Sequence, residues 1–257
     1  TSKPRQLTGK VLLGLGLLPV TSPCLLADEN TSSSLVVPQT FEQKKALWSQ
    51  LNYYSPTEGF HSKGSYGLHI GIGALAPAAP EHSGNLTSEE KSEMKETRPR
   101  VFVSKGTAWP VDFGGSLSLL QGSKKAMQGG LHAQWTMFEG FQLPSIALRL
   151  SRSMLTNYQE VKSLTTDAAE LGVSYGIIRY VILSASVRQQ WEKGETQARG
   201  DFLSLTSSEL PNWSDNKTVY SWGLNISPFT PFVQIGLEQS HWDGRTQVSL
   251  AKLSFLL

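Results

Sequence analysis

Residues 127–138 read MQGGLHAQWTMF. Met127, Leu131, Ala133, Trp135 and Met137 fall on one parity, and Gln128, Gly130, His132, Gln134 and Thr136 on the other. A period of two residues is that of a β-strand, whose successive side chains point to opposite faces. One face here is apolar and bulky. The other is polar, small and almost free of charge.

The same habit recurs outward from this stretch in both directions. In 66–76, Tyr66, Leu68, Ile70, Ile72 and Ala74 oppose Gly67, His69, Gly71 and Gly73; a short strand follows at 100–104. In 111–119, Val111, Phe113, Leu117 and Leu119 oppose Asp112, Gly114, Ser116 and Ser118. Segments 145–153, 166–177, 180–191, 218–227, 232–240 and 247–257 alternate likewise, giving about ten strands. Should the short strand at 100–104 fail, another is needed to keep the count even, with 202–206 as the candidate.

Alternation also fits a soluble sandwich, and three features favour a closed barrel facing lipid. The polar face is mostly Gly and Ser, which suits the concave inside of a narrow barrel. The large aromatics gather toward strand ends, where amphipathic rings suit the lipid headgroup level. Trp109, Trp135, Tyr175, Tyr180, Trp191, Tyr220, Trp222 and Trp242 are the expected interface set. Finally, the connections 105–110, 139–144, 178–179 and 228–231 are short, whereas 77–99, 154–165 and 192–216 are long and polar. Short periplasmic turns with longer outer loops are the asymmetry of bacterial barrels. The fold class expected is therefore all-β, a closed antiparallel transmembrane β-barrel of about ten strands with a short N-terminal helical segment.

Composition agrees with an exported membrane protein. Lys and Arg number 23 against 21 Asp and Glu, so no basic field points to nucleic acid. Past the amino terminus no run of about 18 apolar residues occurs, so any bilayer crossing falls to strands. Lys3, Arg5 and Lys10 precede the apolar run VLLGLGLLPV at 11–20, and small residues follow, so 1–27 reads as a signal peptide cut after Ala27. A buried N-terminal helix is the alternative, with Gly14, Gly16 and Pro19 against it. The single cysteine, Cys24, lies in this segment, and its removal leaves a mature chain without thiol chemistry. No cofactor or metal is expected.

Residues 28–64 form a periplasmic leader with one amphipathic helix at 41–54, capped by Thr40, on which Phe41, Leu47, Trp48 and Leu51 share a face. This helix either closes the barrel's lower end from the periplasm, the favoured reading, or plugs the lumen. Residues 65–257 form the barrel.

As a whole the chain resembles bacterial outer-membrane β-barrel proteins, with no named subfamily. The closing VSLAKLSFLL is similar to their C-terminal assembly signal: Ala251, Leu253 and Phe255 match, while Leu257 stands where an aromatic is usual. The resemblance implies an outer-membrane location. It implies as partners outer-membrane lipids, lipopolysaccharide and, through the last strand, the assembly machinery.

Projecting the inward face collects Asp112, Glu170 and Glu238 against Arg149, Arg188 and Lys252, among His69, His132, Gln134, Asn225 and Gln234. Isolated ions in a narrow lumen are costly, so these six are expected to pair with one another. The functional expectation is a structural or small porin-like protein with a charge-paired lumen. The first alternative is adhesin- or receptor-type binding through the outer loops, one of which carries Arg199-Gly200-Asp201. The second is a hydrolase, for which His241 beside Asp243 is the one rim pair available. Since Asp243-Gly244 is also a strong hairpin signal, no catalytic residue is assigned and the protein is expected not to be an enzyme.

Overall fold

The computed structural model describes residues 39–65, 67–78, 97–120, 126–139, 143–158, 160–178, 180–196, 212–228, 232–242 and 245–257. These residues form helix α1 (Gln39–Asn52) and ten strands. The strands are β1 (Leu68–Pro77), β2 (Arg98–Gly106), β3 (Val111–Leu119), β4 (Met127–Phe138), β5 (Ser145–Tyr158), β6 (Val161–Ile178), β7 (Val181–Thr196), β8 (Trp213–Ile226), β9 (Val233–Trp242) and β10 (Arg245–Leu256). Each pairs antiparallel with its sequence neighbour, and β10 pairs with β1, Ile72 opposite Leu253, so the barrel closes without a free edge.

The alternation read from the sequence holds on every wall segment. In β4, Gln128, Gly130, His132, Gln134 and Thr136 are buried inside while Met127, Leu131, Trp135 and Met137 are exposed outside. The strand expected at 100–104 is real and longer, at 98–106.

The stretch 154–165, expected as a long loop, is mostly strand. β5 runs to Tyr158 and β6 starts at Val161, with Asn157 at φ 52° in the turn region, a conformation that Asn tolerates better than most residues. β7 and β8 likewise reach into 192–216. Their outward faces there carry Lys193, Glu195, Ser214 and Asn216, so the apolar pattern fades while the backbone ladder continues. The signal segment 1–27, Cys24, the Thr40 side chain, most of 77–99, the Arg199-Gly200-Asp201 triplet, the candidate strand at 202–206 and Asp243-Gly244 lie outside the described residues.

The helix departs from expectation. It sits at the long-loop mouth, where Phe41, Leu47, Trp48 and Leu51 pack on Leu120, Ala126, Leu155, Tyr158, Val161 and Leu164. The four residues on its apolar face are the ones expected, but the face is turned into the barrel's upper end, not against its lower rim. The chain after it descends through the lumen and reaches the short-turn end before β1 begins.

Candidate functional site: a threaded lumen

The descending segment 53–65 can be followed by its partners. Asn52 donates to the Leu164 carbonyl (3.1 Å) and to Thr166 Oγ1 (2.8 Å) near the start of β6. Arg100 donates to the carbonyls of Leu51 (2.8 Å) and Tyr53 (2.6 Å). The Tyr54 hydroxyl meets His132 Nδ1 at 2.6 Å, and Ser55 donates to Glu238 at 2.6 Å. Lower down, the Phe60 amide donates to Ser174 Oγ (3.0 Å), and Gln134 donates to the His61 carbonyl (3.1 Å). At the rim, the Ser62 amide donates to Glu139 (3.1 Å) and the Lys63 amide to Asp112 (3.1 Å). Along β6 the contacts pass from Leu164 to Ser174 in one direction. An extended chain has no internal hydrogen bonds, so its backbone groups need wall partners wherever water is excluded.

The centre is ionic. Glu170 joins Arg149 (3.2 Å) and Arg188 (2.7 Å) and accepts from Ser186 (2.6 Å). Arg188 also donates to the Tyr54 carbonyl at 2.5 Å, and Arg149 to Gln134 Oε1 at 2.6 Å. The two guanidinium groups lie over aromatic rings of the thread, Arg149 4.3 Å from the Phe60 centroid and Arg188 4.8 Å from that of Tyr53. A second knot gathers on Glu58, whose carboxylate pairs with both Lys63 and Lys252 and accepts from Ser104 at 3.0 Å.

All six expected lumen charges therefore face inward, but they do not simply pair among themselves. Only Glu170 with Arg149 and Arg188 does so. Lys252 is neutralised by Glu58, Asp112 takes the Lys63 amide, and Glu238 takes the hydroxyls of Tyr53 (3.0 Å) and Ser55. The missing partners come from the segment assigned to the periplasm.

Of the polar set, His132, Gln134 and Asn225 are buried, while His69 and Gln234 are half-buried on the same inward face. Small inward residues also have a cause that the wall alone does not supply. A Cβ on Gly130 would lie 2.3 Å from the Tyr54 ring, and one on Gly172 2.1 Å from that of Phe60. Those positions stay bare because the thread occupies the space. A pocket bordered by Phe60, Arg149 and Glu170 has a volume of about 10 Å³.

Outside, the belt is apolar. Ile72 (60 % exposed), Leu131 (70 %), Leu150 and Leu171 present aliphatic surface with no protein covering it. A closed wall with apolar side chains outside and its polar side chains inside is what a bilayer demands of strands. The chain is a closed, ten-stranded antiparallel β-barrel with an apolar outer belt. Trp109, Trp135, Tyr175, Tyr180, Trp191, Tyr220 and Trp222 are all exposed on or beside this outer surface. Trp242 is not. It shares the inward parity of Gln234, Gly236 and Glu238, is buried, and stacks on Tyr53 at 5.9 Å between centroids. Its place near the strand end suggested an interface ring, but the strand's own alternation decides its face. His241, the rim histidine, lies on the outward parity and accepts a hydrogen bond from the Trp222 indole at 3.1 Å.

No protein-family model matches the sequence, and no curated protein does. Among solved structures, the outer-membrane protein Ail of Yersinia pestis in a phospholipid nanodisc matches with 11 % identity and a TM-score of 0.35, over 74 % of this chain and 99 % of that one. The KdgM porin, solved with oligogalacturonate, matches with 6 % identity and a TM-score of 0.36, over 74 % of this chain and 98 % of that one. Values this low say nothing about what the lumen does.

Proposed function

We propose that the protein is an outer-membrane barrel with a structural role, sealed at rest by its own amino-terminal thread. The observation that carries this is the thread itself: residues 53–63 meet the inward groups of the wall from the level of Arg100 down to Asp112, and the pocket beside Phe60, Arg149 and Glu170 has about 10 Å³, close to what a single water needs. A passive pore requires a continuous wet path, and here the guanidinium, carboxylate and ring groups that could line one are spent on holding the thread. Recording from the full-length protein in planar lipid bilayers tests the reading. Silent insertions are the expected result. Steady ohmic steps from most insertions, altered by Arg149→Ala, would restore the small-porin reading.

Lipid partners follow from the outer wall. Ile72, Val101, Phe113, Leu131 and Leu253 border an apolar concavity of about 1380 Å³, a surface suited to acyl chains of outer-membrane lipids and lipopolysaccharide. The terminal strand β10, which closes on β1, is the proposed contact for the assembly machinery. Loop-mediated binding is the second reading. It is favoured by β5–β7, whose upper ends carry the outward ion pairs Arg152–Asp167 (3.6 Å) and Lys162–Glu195 (3.4 Å), as on a surface that stands in water.

A further inference from the structure

The polarity of the thread has a topological consequence. Residues 53–67 could extend to roughly 50 Å at ~3.3 Å per residue, well above the ~25 Å height of an apolar belt. They therefore cross the lumen without needing to be taut. The order of contacts fixes the direction: Asn52 against the start of β6, Tyr54 against His132, Phe60 against Ser174, Lys63 against Asp112 beside the turn between β2 and β3. At that lower end the chain reverses, with the Gly67 amide on the Gly64 carbonyl (3.2 Å) and the Gly106 amide on the Gly67 carbonyl (2.9 Å), and climbs again as β1.

Both wall termini, the start of β1 and the end of β10, lie at the short-turn end, where the Leu257 amide meets the Leu68 carbonyl at 2.9 Å. The long-loop end carries the outward ion pairs on β5–β7, and short turns mark the periplasmic side of bacterial barrels. Helix α1 is clamped at the long-loop end by Lys44–Glu160 (2.9 Å), Lys45–Asp215 (3.1 Å) and the stacking of Trp48 on Trp213 (5.4 Å).

We infer that the barrel passes its own chain through the lumen and holds helix α1 (Gln39–Asn52) at the outer face of the membrane, displayed at the cell surface. This rests on the outer-membrane reading above and adds a task to it: the lumen is a crossing for the protein's own chain. The crossing is tied to the wall at its middle, where Glu58 pairs with Lys252 and Arg188 donates to the Tyr54 carbonyl.

Single cysteines placed in a Cys24→Ser background test it, in whole cells producing the full chain. Glu42→Cys reports the exposed side of α1, Glu195→Cys the upper end of the wall, and Trp109→Cys the short-turn rim. With a membrane-impermeant maleimide, Glu42→Cys and Glu195→Cys should label in intact cells as fully as after the outer membrane is permeabilised. Trp109→Cys should label only after permeabilisation. Labelling of Glu195→Cys without Glu42→Cys would overturn the display inference and leave the barrel reading standing. Labelling of Trp109→Cys in place of the other two would reverse the barrel and overturn the inference as well. Loss of the heat-dependent gel shift in the Cys24→Ser parent itself would instead count against the outer-membrane barrel. A Glu42→Cys variant that alone loses the shift is replaced by Gln39→Cys, read the same way.

Discussion

At the scale of single residues, Glu58 on the thread matches Glu170 on the wall: each carboxylate joins two cations and one serine hydroxyl. The buried Glu58 carboxylate neutralises a lysine on the thread and another on β10, and it takes the Ser104 hydroxyl besides. Two ammonium groups share that single counter-ion, so its removal leaves buried charge without compensation. Glu58→Gln should lower unfolding stability by about 3–5 kcal/mol, the usual cost of breaking a buried pair, read as a shift of the urea midpoint in lipid vesicles. Adding Lys252→Met should recover part of the loss, because the stranded charge goes with it. If the double variant proves no more stable than Glu58→Gln, the pairing is not what holds the thread at this level. Gly172 makes the complementary point by volume. A side chain there meets the Phe60 ring, so Gly172→Leu should cost about 1–3 kcal/mol by overpacking, and Phe60→Ala in the same chain should relieve it. A penalty that persists in the double variant would mean that Gly172 serves the wall and not the thread.

At the scale of elements, helix α1 and the upper ends of β5–β8 offer a contrast between buried and wet interactions. Trp48 is fully buried, stacked on Trp213 and met edge-on by Phe41 at 6.3 Å. Trp48→Ala should cost about 3–5 kcal/mol, as large aromatic truncations do. It should also loosen α1, so that trypsin cuts at Lys44 and Lys45 much faster than in the parent while the barrel resists. Lys162→Ala, by contrast, removes an exposed pair with Glu195 and should change stability by less than about 1 kcal/mol. Equal protease resistance in the Trp48→Ala and parent proteins would show that the aromatic cluster does not anchor the helix.

The elements also divide what could be read from the sequence from what could not. Strand faces were legible because alternation is local: the parity of Gln134, Arg149, Glu170 and Lys252 follows from their neighbours alone. The apolar face of α1 was legible for the same reason. Its destination was not, since a helix with one apolar stripe suits a lower rim as well as an upper mouth. The segment SPTEGFHSKGS at 55–65 has no period at all. Its partners are scattered over β2, β3, β4, β5, β6, β9 and β10, a pattern that no window of sequence contains. The one hint was the excess of Gly on the inward face, at Gly130, Gly172 and Gly236. A narrow barrel explains small residues, but a side chain is absent at these positions because Tyr54, Phe60 and Thr57 stand there.

At the scale of the whole molecule, wall and thread contribute differently to stability. The wall is a closed ladder in which each strand has two neighbours, so its backbone hydrogen bonds do not depend on the lumen's contents. The thread supplies counter-charges and rings that occupy the space between the walls. A chain lacking residues 39–64 should therefore still close, and unboiled samples should still migrate apart from boiled ones on a denaturing gel. It should unfold at a lower temperature, however, because Lys252 loses Glu58, and Arg100 and Arg188 lose the carbonyls they hold. Water entering around these groups would hydrate them and open a path bordered by Arg100, Arg149, Arg188, Glu170 and Lys252. Discrete conductance steps in planar bilayers should then appear where the parent is silent. A deletion variant that closes, shows the gel shift and remains silent would mean that the wall side chains alone occlude the bore, and the seal would belong to the barrel and not to its thread.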